Sequence, residues 1–156
     1  MHPLSDGPRS TRTGRDMTFE KLLVAVDGSE ASDRALEAAL KLALLSSGTI
    51  VALAVEGPLP AYAATVGEVD EVKREKDAFF SQLARDVRAR AEGSHVPIEI
   101  EIRPGHAAEL ISRVAKERGV DLIVLGHRGH FVRDHLLGST ADRVAEHAEC
   151  PVMIVR

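Results

Sequence analysis

The sequence predicts one small α/β domain, a parallel sheet covered by helices on both faces. Three observations point there. The 156 residues are of single-domain size and long enough to bury one continuous core. Apolar runs of strand length alternate along the chain with stretches of helical periodicity, five of the first kind and four of the second. Aromatic residues make up only 3% and there is no Trp, so the core must be built from Val, Ile, Leu and Ala, which suits buried parallel strands under Ala-rich helices.

Lys21–Val26 (KLLVAV) is a short apolar run closed by Asp27-Gly28-Ser29, and its length and flanking glycine favour a buried strand over a helical turn. Glu30–Leu45 then repeats apolar residues at helical spacing, with Ala31, Ala35, Leu36, Ala39, Leu42 and Ala43 inward. Ser29 is placed as the N-cap, and Glu30 and Asp33 lie in the first turn, where the helix dipole favours them. Ser46-Ser47-Gly48 ends this helix, and Thr49–Val55 (TIVALAV) is a second buried strand. Gly57-Pro58-Leu59-Pro60 breaks the pattern and starts an exposed connection.

From about Val66 to Ala91 the spacing is again helical: Val69, Val72, Lys76, Phe79, Phe80, Leu83, Val87 and Ala91 share a face, and charged residues fill the rest. Gly93 and Pro97 bracket the turn into Ile98–Arg103 (IEIEIR), whose strict alternation predicts an edge or half-exposed strand. Pro104-Gly105 leads into a helix from His106 to Glu117, with Ala108, Leu110, Ile111, Val114 and Ala115 inward and Gly119 as its stop. Val120–Leu125 (VDLIVL) is the fourth strand, and Gly126–Leu137 a loop. Gly138-Ser139-Thr140 opens a last helix to Ala148, and Pro151–Val155 (PVMIV) is the fifth strand. Strand and helix alternate throughout, which implies right-handed crossovers in a parallel sheet.

Residues 1–17 carry charge, Ser, Gly and Pro with almost nothing apolar, and read as a disordered tail ahead of a domain at 18–156. They lack the apolar segment of a signal peptide, and Met17 is an alternative start. No apolar run approaches the ~20 residues that span a bilayer. The net charge of −4 gives no reason to expect nucleic acid or an anionic membrane as partner, and the cytoplasm is the expected location. Cys150 is alone, which excludes an intramolecular disulfide and a cysteine-built metal site; it reads as a small buried hydrophobe.

In an open parallel sheet, ligands bind beyond the carboxyl ends of the strands, where strand order reverses. Two segments suit that edge: Asp27-Gly28-Ser29, and Gly126-His127-Arg128-Gly129 with Gly138-Ser139-Thr140. Glycines let the backbone approach a ligand, and a helix N-terminus offers unpaired N–H groups at the positive end of a dipole. Ser139 and Thr140 add hydroxyl donors, and Arg128 and Arg133 can offset phosphate charge. There is no Gly-x-x-x-x-Gly-Lys-Ser/Thr loop and no Gly-x-Gly-x-x-Gly fingerprint, which argues against a P-loop NTPase or a dinucleotide-dependent dehydrogenase. On spacing alone, a turn followed by a plain helix cap explains these residues as well as an anion cradle does. His106, His127, His130 and His135 fall on the same edge, but loop histidines without fixed helical spacing read as solvent-facing or phosphate-contacting, so no metal site is expected. No nucleophile–base pair is evident, and no catalytic residue is assigned.

Lys21–Ala43 (KLLVAVDGSEASDRALEAALKLA) together with Val120–Arg156 (VDLIVLGHRGHFVRDHLLGSTADRVAEHAECPVMIVR) resembles the universal stress protein family, and with the middle elements in order the resemblance covers about residues 18–156. The ATP-binding branch of that family carries Gly-x-x-Gly, usually nine residues, then Gly followed by Ser or Thr. This chain has Gly126-x-x-Gly129, eight residues, then Gly138-Ser139, a shortening that bears on the position of Arg133 and on the third phosphate. The resemblance implies a Rossmann-like, adenine nucleotide alpha hydrolase-like sheet of strand order 3-2-1-4-5. It implies bound ATP, or ADP or AMP, with Mg²⁺. Asp27 would lie near the ribose or adenine with Ala25 and Val26 beside it, and Val55 would meet the adenine through its backbone. Gly126 would approach the ribose, and Gly129, Gly138, Ser139 and Thr140 would hold phosphates. It further implies a homodimer in which strand 151–155 pairs across a two-fold axis; independently, an uncovered apolar terminal strand invites pairing. The implied function is a nucleotide-binding regulatory protein of the stress response. The alternatives are a nucleotide-free homodimer acting through protein partners, and a weak ATP hydrolase or nucleotidyl-transfer enzyme.

Overall fold

The computed structural model describes residues 18–60, 63, 65–127 and 138–156. Strand and helix alternate as β1 (Lys21–Ala25), α1 (Glu30–Ser46), β2 (Thr49–Glu56), α2 (Val66–Glu92), β3 (Ile98–Pro104), α3 (Ala107–Glu117), β4 (Leu122–Gly126), α4 (Ser139–His147) and β5 (Val152–Val155). The five strands form one sheet in the order β3-β2-β1-β4-β5. Every pairing is parallel, with Leu23 level with Val51 on one side and Ile123 on the other, and Val124 level with Met153. β3 and β5 are therefore the two edges, as expected for IEIEIR, but the alternation of burial along β3 breaks after Ile100: Glu101 is partly buried and Ile102 is exposed.

Side chains that alternate along the inner strands feed two separate cores. Leu22, Val24, Ile50, Ala52, Leu122 and Val124 pack on one face with Ala35, Leu36 and Ala39 of α1 and Leu83 and Val87 of α2. Leu23, Leu53, Ile123 and Leu125 pack on the other face with Ile111 and Val114 of α3 and Ala141 and Val144 of α4. Both faces of the inner strands are thus covered, which is why their sequences read as continuous apolar runs. Each fully buried Leu, Ile or Val in these layers contributes about 1.5–3 kcal/mol.

The caps explain most element boundaries. Ser29 caps α1 by accepting the Ser32 N–H at 3.1 Å. Thr65 and Glu68 form a reciprocal capping box at the start of α2. α1 ends on Ser47 in the left-handed conformation (φ 54°), one residue before the expected glycine. β4 begins at Leu122 rather than Val120 because Asp121 is used as a bracket: its carboxylate accepts the backbone N–H groups of Glu20 and Lys21, at 3.0 and 3.2 Å. One expectation for α2 shifts. Val72, Leu83, Ala84, Val87 and Ala91 form its buried stripe, while Phe79 remains 47% exposed.

Candidate functional site

The carboxyl ends of β1, β2, β3 and β4 meet the N-termini of α1, α3 and α4 around a cleft of about 630 Å³. Strand order reverses between β1 and β4, so this is the topological switch point of the sheet. Ala25, Val26, Asp27, Val55, Gly126, Gly138, Ser139 and Thr140 all line this cleft, although they come from four separate stretches of sequence. Arg128, Gly129, Arg133, His130 and His135 lie outside the described residues, as does the tail at 1–17.

Asp27 occupies a defined turn. Its Oδ1 accepts the Ser29 N–H at 2.9 Å, and its own N–H donates to Ser32 Oγ at 3.3 Å. Ser32 Oγ in turn donates to the Ser29 carbonyl at 3.0 Å. Gly28 between them has φ +79°, a conformation in which a side chain is strained. The start of α1 is thus closed by its own polar side chains, and Asp27 serves the turn while lining the cleft.

α3 and α4 begin differently. Their N-caps are His106 and Gly138, and neither makes a side-chain cap hydrogen bond. The first N–H groups of a helix have no carbonyl of their own helix to donate to, so both termini carry donors and the positive end of a dipole at the cleft. Gly138 itself is engaged: its N–H donates to the His127 carbonyl at 3.0 Å, while the His127 N–H donates to the Val155 carbonyl at 2.7 Å. The chain therefore returns at Gly138 to the point where β4 ends. A smaller hollow of about 340 Å³ adjoins the cleft between α3 and α4, with Arg143 and Glu109 on its walls.

Gly126 has a packing reason to be glycine. A Cβ there would stand 2.7 Å from the backbone carbonyl carbon and oxygen of Ala31, so α1 crosses the end of β4 in direct backbone contact. The β2–α2 connection is also held: Lys76 Nζ donates to the Gly57 carbonyl at 2.5 Å and lies 3.9 Å from the Glu56 carboxylate. Gly57 and Pro58 form a wall of the cleft, as do Phe79, Gly105, His106 and Ile111. Of these only His106 stands out in the sequence as a residue of the ligand edge. Gly105 has a readable signal too, since it follows β3 at the same edge and has φ +142°. Leu53, Val55, Pro58 and Ile111 give the cleft apolar walls, and its described lining holds one carboxylate, Asp27, and no Lys or Arg. Among the described residues no group of three His, Cys, Asp or Glu side chains could hold a metal ion.

Comparison with known proteins gives one answer. The profile of the universal stress protein family matches residues 18–156. The universal stress protein YxiE of Bacillus subtilis (strain 168) is 35% identical over 147 residues, covering 88% of this chain and 99% of its own. Among solved structures, the universal stress protein UspA from Lactobacillus plantarum superposes with a TM-score of 0.79 at 27% identity, over 88% of this chain and 98% of that one. A family member from Arabidopsis thaliana solved with AMP bound shares the fold at a TM-score of 0.65 and 23% identity, over 86% and 90% of the two chains. A further universal stress protein, in complex with cAMP, does so at 0.69 and 23%, over 89% and 98%.

Proposed function

Because the chain belongs to the universal stress protein family, we propose that its cleft binds an adenine nucleotide and that the protein acts in the stress response as a nucleotide-responsive homodimer rather than as a dedicated catalyst. The observation that carries this reading is the convergence of Ala25, Val26, Asp27, Val55, Gly126, Gly138, Ser139 and Thr140 on one cleft with apolar walls and uncapped helix starts. The AMP and cAMP found in two proteins of this fold support a nucleotide as its occupant.

The chemistry of the lining fits. Leu53, Val55 and Pro58 offer a flat base surfaces that carry no charge to desolvate. Ser139 and Thr140 bring hydroxyls and the first N–H groups of α4 to the phosphates, the arrangement that makes helix N-termini anion sites. Asp27 is the carboxylate available to a ribose hydroxyl or an exocyclic amine. With no Lys or Arg on the described lining, phosphate charge would be met by the α3 and α4 dipoles, by Arg128 and Arg133, and by Mg²⁺. Mg²⁺ is held largely by phosphates and waters and needs no protein cage, so it would arrive with the phosphates of the nucleotide. ATP with Mg²⁺ is the proposed ligand, with ADP or AMP as shorter members of the same class. No described helix is long and apolar enough to cross a membrane, and a cytoplasmic site of action is proposed with the rest.

Mass spectrometry of the small molecules released on denaturing freshly purified protein tests the reading. An adenine nucleotide at near one equivalent per chain is the expected result. No nucleotide, followed by no binding when ATP and Mg²⁺ are added, would overturn it.

A further inference from the structure

α2 brings an aromatic ring to the cleft, and that ring is not part of the helix's buried stripe. Phe79 lines the cleft and is 47% exposed. It is held in place on two sides. A Cβ at Gly28 would stand 3.5 Å from its Cζ and 3.7 Å from its Cε2, so the ring lies against the turn beside Asp27. Phe80 meets it edge to face, with centroids 5.2 Å apart and planes at 82°. A large apolar group fixed by its neighbours yet left half in water is a surface that gains by being covered.

We infer that Phe79 is the platform on which the nucleobase stacks, and so the residue that makes this cleft prefer a nucleotide to a bare polyphosphate. The inference rests on the nucleotide reading above. Two features set the direction of the ligand. Phe79 lies on the α1–α2 side of the sheet beside Gly28, whereas Ser139 and Thr140 start α4 on the opposite side, the face on which the Val55 side chain packs. An anion gains nothing from an apolar ring, and a base gains little from the helix N-termini, so the base belongs with Phe79 and the phosphates with Ser139 and Thr140. Every base has a π-face, so stacking adds affinity for nucleosides as a class and favours the larger purine ring system. Choice between adenine and guanine falls to polar groups such as the Val55 backbone and Asp27.

The test titrates ATP and inorganic tripolyphosphate, each with Mg²⁺, into the wild-type protein and into Phe79→Ala and Phe79→Trp variants. Loss of one stacking partner weakens ATP binding about thirtyfold, the middle of the range for base–aromatic contacts. The affinity for tripolyphosphate stays within about twofold of wild type. The chain has no Trp, so Phe79→Trp adds the one indole to the protein, and ATP quenches its emission while tripolyphosphate does not. This second variant keeps the aromatic and serves if Phe79→Ala fails to fold. Wild-type binding of ATP with an unaltered affinity in Phe79→Ala, or an indole indifferent to ATP, overturns the role of Phe79 and leaves the nucleotide reading standing. Equal weakening toward ATP and tripolyphosphate makes the effect structural and also overturns it. Wild-type protein that binds no ATP overturns both.

Discussion

A methyl group at Gly126 would meet the carbonyl carbon and oxygen of Ala31 at 2.7 Å, and neither backbone atom can move without shifting α1. Gly126→Ala is therefore predicted to destabilise the domain by about 1–3 kcal/mol, the usual range for forced overpacking. A urea unfolding midpoint indistinguishable from wild type would contradict the contact. Gly138 is a different kind of glycine. Its φ of −58° and ψ of 145° are open to any residue, so the backbone gives it no reason to be glycine. Asp27 is double in character, since the carboxylate that fixes the turn at Ser29 also lines the cleft.

Cys150 precedes β5 at the amino end of the strands, away from the cleft at their carboxyl ends. Burial, and next the Asp121 carboxylate, push its thiol above the ordinary cysteine range. A raised folded value means that the contribution to stability is complete below the unfolded thiol's pKa and is lost as pH rises through the folded one. At mildly alkaline pH the native thiol is thus predicted to react with iodoacetamide more slowly than in urea-unfolded protein, because the thiolate is the nucleophile. Equal rates in the two states would contradict this.

At the scale of elements, the cleft is shaped by connections as much as by strands. Lys76 reaches from α2 to the Gly57 and Pro58 carbonyls, at 2.5 and 3.3 Å, and pins the wall that follows β2. Lys76→Met keeps the aliphatic stem and removes the donor. It is predicted to weaken nucleotide binding a few-fold and to lower stability by about 0.5–1.5 kcal/mol, the net contribution of a hydrogen bond. An unchanged affinity measured by calorimetry would show that Gly57 and Pro58 hold their place without it.

The nine elements were legible because each carries its own signal: short apolar runs for the inner strands, Ser29 at the start of α1, and the IEIEIR alternation for an edge. The eight lining residues were legible through the order of elements and the family motif. What the sequence hides is which helix face turns toward the cleft. Phe79 has the spacing of a core residue, yet it stands half exposed at the rim of the cleft. Gly126 reads as a ligand glycine, and its contact with Ala31 depends on how closely α1 approaches β4, a tertiary distance with no local trace. Asp121 likewise reads as a polar interruption of a strand until its bonds to Glu20 and Lys21 are seen.

For the whole molecule, the open question of assembly falls on β5. Pro151 and Val155 carbonyls accept from Ile123 and His127, so by alternation the backbone groups of Val152 and Ile154 point to the free edge. Met153 is 36% exposed, and β5 ends the sheet with no described neighbour beyond it. If β5 pairs with its copy in a second chain, Val152→Pro removes an outward donor at the first residue of the strand, where proline is tolerated. The variant is predicted to sediment as a folded monomer where wild type sediments as a dimer. A dimer that survives the substitution would move the interface elsewhere.

The cleft and the free edge both adjoin β4: Gly126 ends it at the cleft, while its far side pairs with β5. A nucleotide at Ser139 and Thr140 would thus sit one strand from the proposed interface, a short path for coupling occupancy to assembly. The central claim is that the phosphates sit where α4 begins. Calorimetric titration of ATP with Mg²⁺ into wild type and Gly138→Val tests it most directly. One site per chain in wild type, at least about tenfold weaker (~1.4 kcal/mol) in the variant at an unchanged unfolding midpoint, is the predicted result. Equal affinity in the two proteins, or no binding in wild type, would contradict it.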